Sequence, residues 1–518
     1  MEWNLAFISY IFEAKGIQAY IVAGGRLRHM AGASALVDLL TTLDAPSRDE
    51  ARAGAGWLKR ALASAGFPEP PVFTRCAGGA FAFFTPDKPG AAAALTRFQD
   101  LWTLAVQRAA PGLAFVDSAG AGATPAAAVA DARGGMEGRR SFPHHRLPLA
   151  TPLMLRAPRT GEPAVSANAK DDLDAGLLRK EAFVDNMRLA RVFDPHSGWG
   201  DWPLDLETQF PFRGEDRTIA VLHADGNRMG EIVKAVGKKF ASLPAAQYGA
   251  EMLRFSEAIR AAMTDAAQAA RTELTRRDGE RYPARPIILG GDDLTMILRG
   301  DIALSFSKAF LAAFETACKE HLATFTQGLA VPDLTACAGL VYIGDSQPFG
   351  QALELAESLC KAAKTRAKSG LRDSDTVPSC LAFHRVTGSQ FGGWSDVLRD
   401  ELTAGGRVLT MQPYQAAGEA RAGLPQLAAL KTLTGVFLDK AMAKGGVREI
   451  ATLAYETAAT AQRRWSRLLS VMEPNLRDKL REAYAAVAPK EAPFEKPFGA
   501  PNPLFDALTL AQIGRSPE

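Results

Sequence analysis

Residues 286–298 read PIILGGDDLTMIL, and the interpretation of the whole chain starts there. Two short apolar runs, Pro286–Leu289 and Leu294–Leu298, flank Gly290, Gly291, Asp292 and Asp293. Glycines between apolar strands make a β-hairpin, because glycine enters the left-handed backbone of a tight turn without a Cβ clash. Upstream, RTIAVLHAD (Arg217–Asp225) is a second apolar run that ends in an acid, and it reads as a buried strand. Helical spacing follows in GNRMGEIVKAVGKKF and in the Ala-rich stretch 245–276, then again over 301–326 and 348–369. Leu334–Ile343 and Ser379–Val386 read as further strands. The order β-α-α-β-β-α-β-α-β resembles a ferredoxin-like βαββαβ sheet with helices on one face, the plan of a palm domain.

The N-terminal part repeats this order. Leu5–Phe12 reads as a strand, GIQAYIV and residues 33–43 and 48–65 as helical. Pro71–Cys76 and Ala80–Phe84 read as strands around a Gly78-Gly79 turn, residues 89–109 as a helix, and Leu113–Val116 as a strand. In this copy the glycine pair is kept, and Ala80-Phe81 stands where the other has Asp292-Asp293. The fold class expected is therefore α+β, with two ferredoxin-like palms, the first stripped of its acids. Residues 1–133 form the first palm, 134–216 an irregular insert rich in Pro, Arg and Gly, and 217–390 the second palm. Residues 391–518 form a helical domain, with helical spacing in 417–443, 446–472 and 474–487 and a Pro-rich, extended tail, PKEAPFEKPFGAPNP.

Composition sets outer limits. The chain has 518 residues, 47% of them apolar and 23% charged, enough for about three or four domains with an ordinary soluble core. A net charge of +3 makes it no polycation, so any nucleic-acid contact must come from local basic clusters. Five separated cysteines with no CxxC pair fit reduced thiols in a cytoplasmic protein and encode no zinc ribbon. Neither a secretory signal nor an apolar run of about 18 residues is present, so no membrane association is expected.

The chemistry is carried by the acids. Mg²⁺ or Mn²⁺ takes oxygen ligands, commonly one or two carboxylates with phosphate oxygens and water. Palm topology brings the strand ending in Asp225 beside the hairpin that bears Asp292 and Asp293. Three such acids repel one another unless a cation neutralises them. An acidic surface turn, the competing reading, needs neither flanking apolar strands nor a second strand ending in Asp. Around this centre Gly290 and Gly291 let phosphate or base approach the backbone, and Gly226 and Asn227 open a helix whose free N–H groups suit a triphosphate. Lys364 and Lys368, four apart on one helical face, supply mobile positive charge. Two metals would then activate a ribose hydroxyl and stabilise leaving pyrophosphate, with Asp293 as an alternative acceptor of the hydroxyl proton.

HADGNRMG, ILGGDDLTMIL and AESLCKAAKTRAK together resemble the catalytic palm of the large polymerase-like subunit of type III CRISPR effector complexes, and more distantly GGDEF cyclases. KGIQAYIVAGGRLRHMAGAS (Lys15–Ser34) resembles the first palm of that subunit, and LAFHRV and LTMQPYQ are similar to segments that close its second palm. The resemblance covers roughly residues 5–480. It implies an ATP-dependent synthetase of a cyclic oligoadenylate messenger, with two ATP molecules between the palms and metal held by Asp225, Asp292 and Asp293. It further implies guide RNA, target RNA and other CRISPR subunits as partners, and a place for Ser34 at the nucleotide pocket, or as a helix N-cap. Two departures stand out. The first palm begins near Met1, leaving no room for an HD nuclease, and His144-His145 lacks a following Asp, so DNA cleavage is not expected. Thr151–Val165 looks like the inter-palm zinc ribbon without its cysteines, so no zinc is expected. A stand-alone cyclase making another signal nucleotide, and a scaffold that grips RNA through Arg26, Arg28, His29 and the Arg463-Arg464-Trp465-Arg467 cluster, are the competing readings.

Overall fold

In the computed structural model, the described residues are 6–44, 47, 54, 56–141, 153–166, 172–388, 391–440, 442 and 444–513. His144-His145 and part of the 48–65 stretch lie outside them. The N-terminal sheet holds β1 (Phe7–Lys15), β2 (Val72–Ala77), β3 (Ala80–Pro86) and β4 (Ala114–Gly122) in the order β2-β3-β1-β4, all antiparallel. Between β1 and β2 run α1 (Ile17–Val22), α2 (Leu27–Leu40) and α3 (Trp57–Ala65). Helix α4 (Ala91–Ala109) joins β3 to β4, and α5 (Pro125–Arg139) follows β4. One sheet face carries an aromatic core of Tyr10, Phe12, Phe81 and Phe83 against Phe98 and Trp102 of α4. The other carries Ile11, Ala82 and Val116 against Val129, Ala132 and Met136 of α5.

The insert is less irregular than its composition indicates. Short strands β5 (Ala164–Ser166) and β6 (Leu173–Asp174) lead into α6 (Ala175–Glu181) and α7 (Arg188–Phe193). Asp174 caps α6 by accepting from Leu177 N at 2.8 Å, the usual use of Asp at a helix start. Helix α6 docks on α2 at Gly32, where a Cβ would lie 1.9 Å from the Lys180 carbonyl. The short apolar docking surfaces of α6 and α7 leave no long periodic pattern to read.

The second sheet holds β7 (Thr218–Gly226), β8 (Ala284–Gly290), β9 (Asp293–Arg299), β10 (Ala336–Gly344) and β11 (Cys380–Arg385). Beyond β11, β12 (Thr403–Ala404) and β13 (Arg407–Val408) pair with each other, and β14 (Tyr414–Gln415) adds an edge, giving the order β14-β11-β10-β7-β9-β8. Alternation assigns the faces. Ala220, Leu222, Leu294 and Met296 face α8 (Met229–Phe240), α9 (Ala245–Ala270) and α10 (Gly300–Thr326). Ile219, Val221, Ile297 and Val341 face α11 (Phe349–Lys368), in a core shared with the first palm. The ferredoxin-like helices thus lie on one face, as expected, and α11, the crossover of the parallel β10–β11 pair, covers the other.

The two copies match beyond their element order. In each, a strand glycine lets the next helix lie flat: Gly120 beneath α5 and Gly339 beneath α11. In each, the edge strand of the hairpin carries a register shift, at Phe73/Arg75 and at Pro286/Ile288, the same distance from the turn. The hairpin registers correct the sequence alignment by one residue. Ala77 pairs with Ala80 and Gly290 with Asp293. Gly79 and Ala80, not Ala80 and Phe81, therefore occupy the places of Asp292 and Asp293.

The C-terminal region is helical over Leu427–Leu438, Lys444–Ala454, Ala458–Val471, Pro474–Ala485 and Leu504–Ile513. The expected 446–472 helix is thus two, and the Pro-rich tail is a packed turn rather than an extended arm. Phe494 and Phe498 are buried against Trp465, whose indole N–H donates to the Phe494 carbonyl at 2.8 Å. No helix among the described residues is long and apolar enough to cross a membrane.

Asp506 joins the last helix to the second sheet. Fully buried, it accepts from Thr410 Oγ1 (2.7 Å), Met411 N (2.9 Å), Gln412 Nε2 (3.2 Å) and the Tyr414 hydroxyl (2.6 Å). Removing a carboxylate while its buried donors stay leaves each donor unmet. Asp506→Ala is expected to lower unfolding stability by about 3 kcal/mol or more, measured by urea denaturation. A loss below about 1 kcal/mol would contradict this role.

Candidate active site

The three acids converge. Carboxylate oxygens of Asp225, Asp292 and Asp293 all lie within 4.8 Å of one another. Strands β7 and β9 are neighbours, with Ala224 opposite Leu294, so the last residue of one run and the first of the other meet at the same sheet edge. Asp225 and Asp293 share the strand face of His223 and Thr295, and that face looks toward α11. Asp292 occupies the turn itself and closes on β7. A Cβ on Gly226 would lie 2.4 Å from Asp292 Oδ2, so glycine at 226 makes room for the acid. Glycine at 226 thus has a steric role in the cluster.

A cleft of about 290 Å³ opens over this edge. Asp225, Asp293, His223, Glu357, Lys361 and Lys364 line it, with Cys360 and with Gln18 from α1 of the first palm. The Lys364 ammonium bonds Asp225 Oδ2 and donates to the Gly226 carbonyl at 2.7 Å. Burial, then the Asp225 charge, pushes the Asp292 carboxyl up to about 6, against the pull of Lys364 and of Arg75. Burial and the charges of both neighbours also raise Asp293 well above the usual carboxylate range. His223 is pushed down to about 4, chiefly by burial, so it is neutral near pH 7. Its Nδ1 lies 3.1 Å from Thr295 Oγ1.

The remaining expected site residues divide. Gly290 and Gly291 form the hairpin tip, where Gly78 of the first palm packs: a Cβ on Gly290 would lie 3.0 Å from Gly78 Cα. Gly290 thus serves the junction of the palms, whereas a Cβ on Gly291 would meet nothing within 4 Å. Asn227 turns inward, its N–H donating to the Thr335 carbonyl at 2.7 Å and its amide to Thr335 Oγ1 at 2.9 Å. The helix begins at Met229, so no free N–H at Asn227 faces the cleft. Lys368 lies a turn beyond Lys364 and does not line the cleft. Ser34 is buried in the interior of α2 and caps nothing.

Other expected contacts are spent elsewhere. His29 is buried with Nε2 3.3 Å from Glu181 Oε1, Arg28 pairs with the same carboxylate, Trp465 is core, and Arg464 pairs with Glu449. Trp465, being core, offers no face for a base to stack on.

Sequence reasoning overlooked His223, Gln18, Glu357, Lys361 and Arg75. Two were accessible by period: His223 precedes Asp225 by one strand repeat, and Glu357, Lys361 and Lys364 share one helical face. Arg75 was not, because regular alternation would place it on the aromatic face of Phe73. The register shift between them sets it opposite Ala82 instead, on the other face.

Residues 218–374 match the family model of the Cas10/Cmr2 second palm domain. Among solved structures the chain resembles a Csm1–Csm4 cassette with AMPPNP, with a TM-score of 0.53, 12% identity, and coverage of 99% of this chain and 70% of that one. It also resembles the cassette with cA4, at 0.51, 13%, 98% and 70%, and the apo cassette, at 0.50, 14%, 98% and 70%. These likenesses establish a shared fold. No curated protein matches the chain.

Two outcomes follow. Gly226→Ala is expected to displace Asp292 and to weaken Mn²⁺ binding, read by calorimetry, by about 10-fold or more; unchanged affinity would contradict the steric role. A carboxyl raised from 3.8 to about 6 binds more protons folded than unfolded, so its contribution to stability falls as pH rises through that window. Without metal, Asp292→Asn is therefore expected to melt higher than the parent protein at pH 7.5, with the difference shrinking toward pH 4. A difference that grows on acidification would refute the raised carboxyl.

Proposed function

We propose that this chain, Cas10-like in its second palm, is the nucleotidyltransferase subunit of a type III CRISPR effector and converts ATP into a cyclic oligoadenylate. The observation that carries the reading is the three-acid cluster at the mouth of a cleft lined by both palms. Its donor set suits a hard divalent cation, since all three ligands are carboxylates with oxygens within 4.8 Å of one another. Asp225, Asp292 and Asp293 would hold Mg²⁺ or Mn²⁺, which when bound supplies Lewis-acid charge to phosphate oxygens and the attacking hydroxyl.

The chain's own groups do the rest. Lys364 orients Asp225 and brings positive charge to the triphosphate. Neutral His223 holds Thr295 and adds no competing cation beside the metal. In the reaction, an acceptor ribose hydroxyl oxygen bonds to the α-phosphorus of a second ATP, and the bond to pyrophosphate breaks. Asp293, which lines the cleft, would take the hydroxyl proton where it is not itself bound to the cation. Gln18 brings the first palm to the lining of the cleft. The Csm1–Csm4 structures with AMPPNP and with cA4 support ATP, a cyclic oligoadenylate product and a protein partner of that kind. Guide and target RNA belong to the same proposal.

The test is incubation of the protein, with its co-purifying partners and target RNA, with ATP and Mn²⁺, followed by mass spectrometry. Cyclic oligoadenylate is expected, and Asp292→Ala/Asp293→Ala is expected to lower its yield at least about 100-fold. Absence of any nucleotide product from the activated parent protein would overturn the proposal in favour of a scaffold.

A further inference from the structure

Arg228 follows the strand end that carries Asp225, and its backbone is left-handed, with φ of 60°. Among the described residues it is the one non-glycine residue with positive φ. Such a conformation strains an L-residue, so it persists only where the surroundings enforce it. Here its own side chain does so. Arg228 is 9% exposed, and its guanidinium reaches the turn that follows α11. Nη2 donates to the Arg372 carbonyl at 2.9 Å and Nη1 to the Asp373 carbonyl at 2.5 Å. Nη1 also lies 3.2 Å from Glu231 Oε2 and 3.3 Å from Asp373 Oδ1.

A second tie runs beside the first. Asn227 holds Thr335 by two hydrogen bonds, and Thr335 Oγ1 donates to the Val377 carbonyl at 2.6 Å. Two consecutive residues after Gly226 therefore fasten the segment between α11 and β11. Helix α11 carries Lys364, which returns to Asp225 and Gly226. Asp225, Arg228, the 372–373 turn, α11 and Lys364 thus close a ring around one corner of the site.

We propose that Arg228 is a positioning residue: it fixes the C-terminal end of α11 against the end of β7, and so sets the placement of Asp225, on which metal capture depends. The inference rests on reading the three acids as a metal site. A planar fork that meets two carbonyls at once is not reproduced by an ammonium, so lysine is a partial replacement.

The test compares Arg228→Gly, Arg228→Ala and Arg228→Lys in the full chain by Mn²⁺ calorimetry, thermal unfolding and ATP turnover. Glycine relieves the backbone strain while deleting the clamp. Arg228→Gly is expected to melt at or above Arg228→Ala, yet to bind Mn²⁺ about 10-fold or more weakly than the parent protein, as Arg228→Ala does. Arg228→Lys is expected between them. Turnover is expected to fall with Mn²⁺ affinity and to recover in part with excess Mn²⁺, leaving the KM for ATP at saturating Mn²⁺ within about twofold. Parent-like Mn²⁺ affinity in folded Arg228→Gly, or affinity that tracks melting temperature across the three variants, would overturn the proposal. Should the parent protein bind Mn²⁺ but make no nucleotide, the polymerising function fails while the Mn²⁺ comparison still decides the role of Arg228.

Discussion

Everything at the active edge depends on holding three carboxylates closer together than their charges allow. Asp225, Asp292 and Asp293 sit half-buried with oxygens within 4.8 Å. Coulomb repulsion at that spacing is substantial at any effective dielectric below that of water. The fold contains the repulsion by steric and covalent means: adjacent strands fix two of the acids, and the missing Cβ of Gly226 admits the third. Lys364 neutralises part of the charge. Burial first, and the neighbouring acid charges second, raise the proton affinity of Asp292 and Asp293, and a divalent cation offsets the charge.

The duplication gives this edge its counterpart. Both palms carry the same hairpin, with matching register shifts, and their glycine tips touch at Gly78 and Gly290. Only one copy bears acids. The other offers Gln18 to the cleft and Arg75 near Asp292. Helix α11 belongs to the core that the second sheet shares with the first palm, so Lys364 is held by packing that spans both copies.

Much of this was legible in the sequence because it rests on local pattern. Apolar runs ending in acids, Gly-Gly turns and helical spacing give the element order, the repeat and the three acids. What was not legible depends on register and on tertiary contact. A one-residue alignment of the two hairpins is decided by Ala77 pairing with Ala80, which no residue type announces. Ser34 lies in a helix interior because α2 begins at Leu27, and Gly32 within it answers to the close approach of Lys180. Asn227 looked like a phosphate binder from its place after Gly226, but Thr335, distant in sequence, takes both its donors. The Pro-rich tail packs because Phe494 and Phe498 find Trp465, a long-range match that composition conceals.

The most direct measurement is anomalous diffraction from crystals of the protein soaked in Mn²⁺. The account requires anomalous density within roughly 2.0–2.3 Å of carboxylate oxygens from Asp225, Asp292 and Asp293, with the Lys364 ammonium shifted off Asp225. Crystals in which manganese binds elsewhere, or in which Lys364 keeps its bond to Asp225 and the cluster stays metal-free at saturating Mn²⁺, would contradict it.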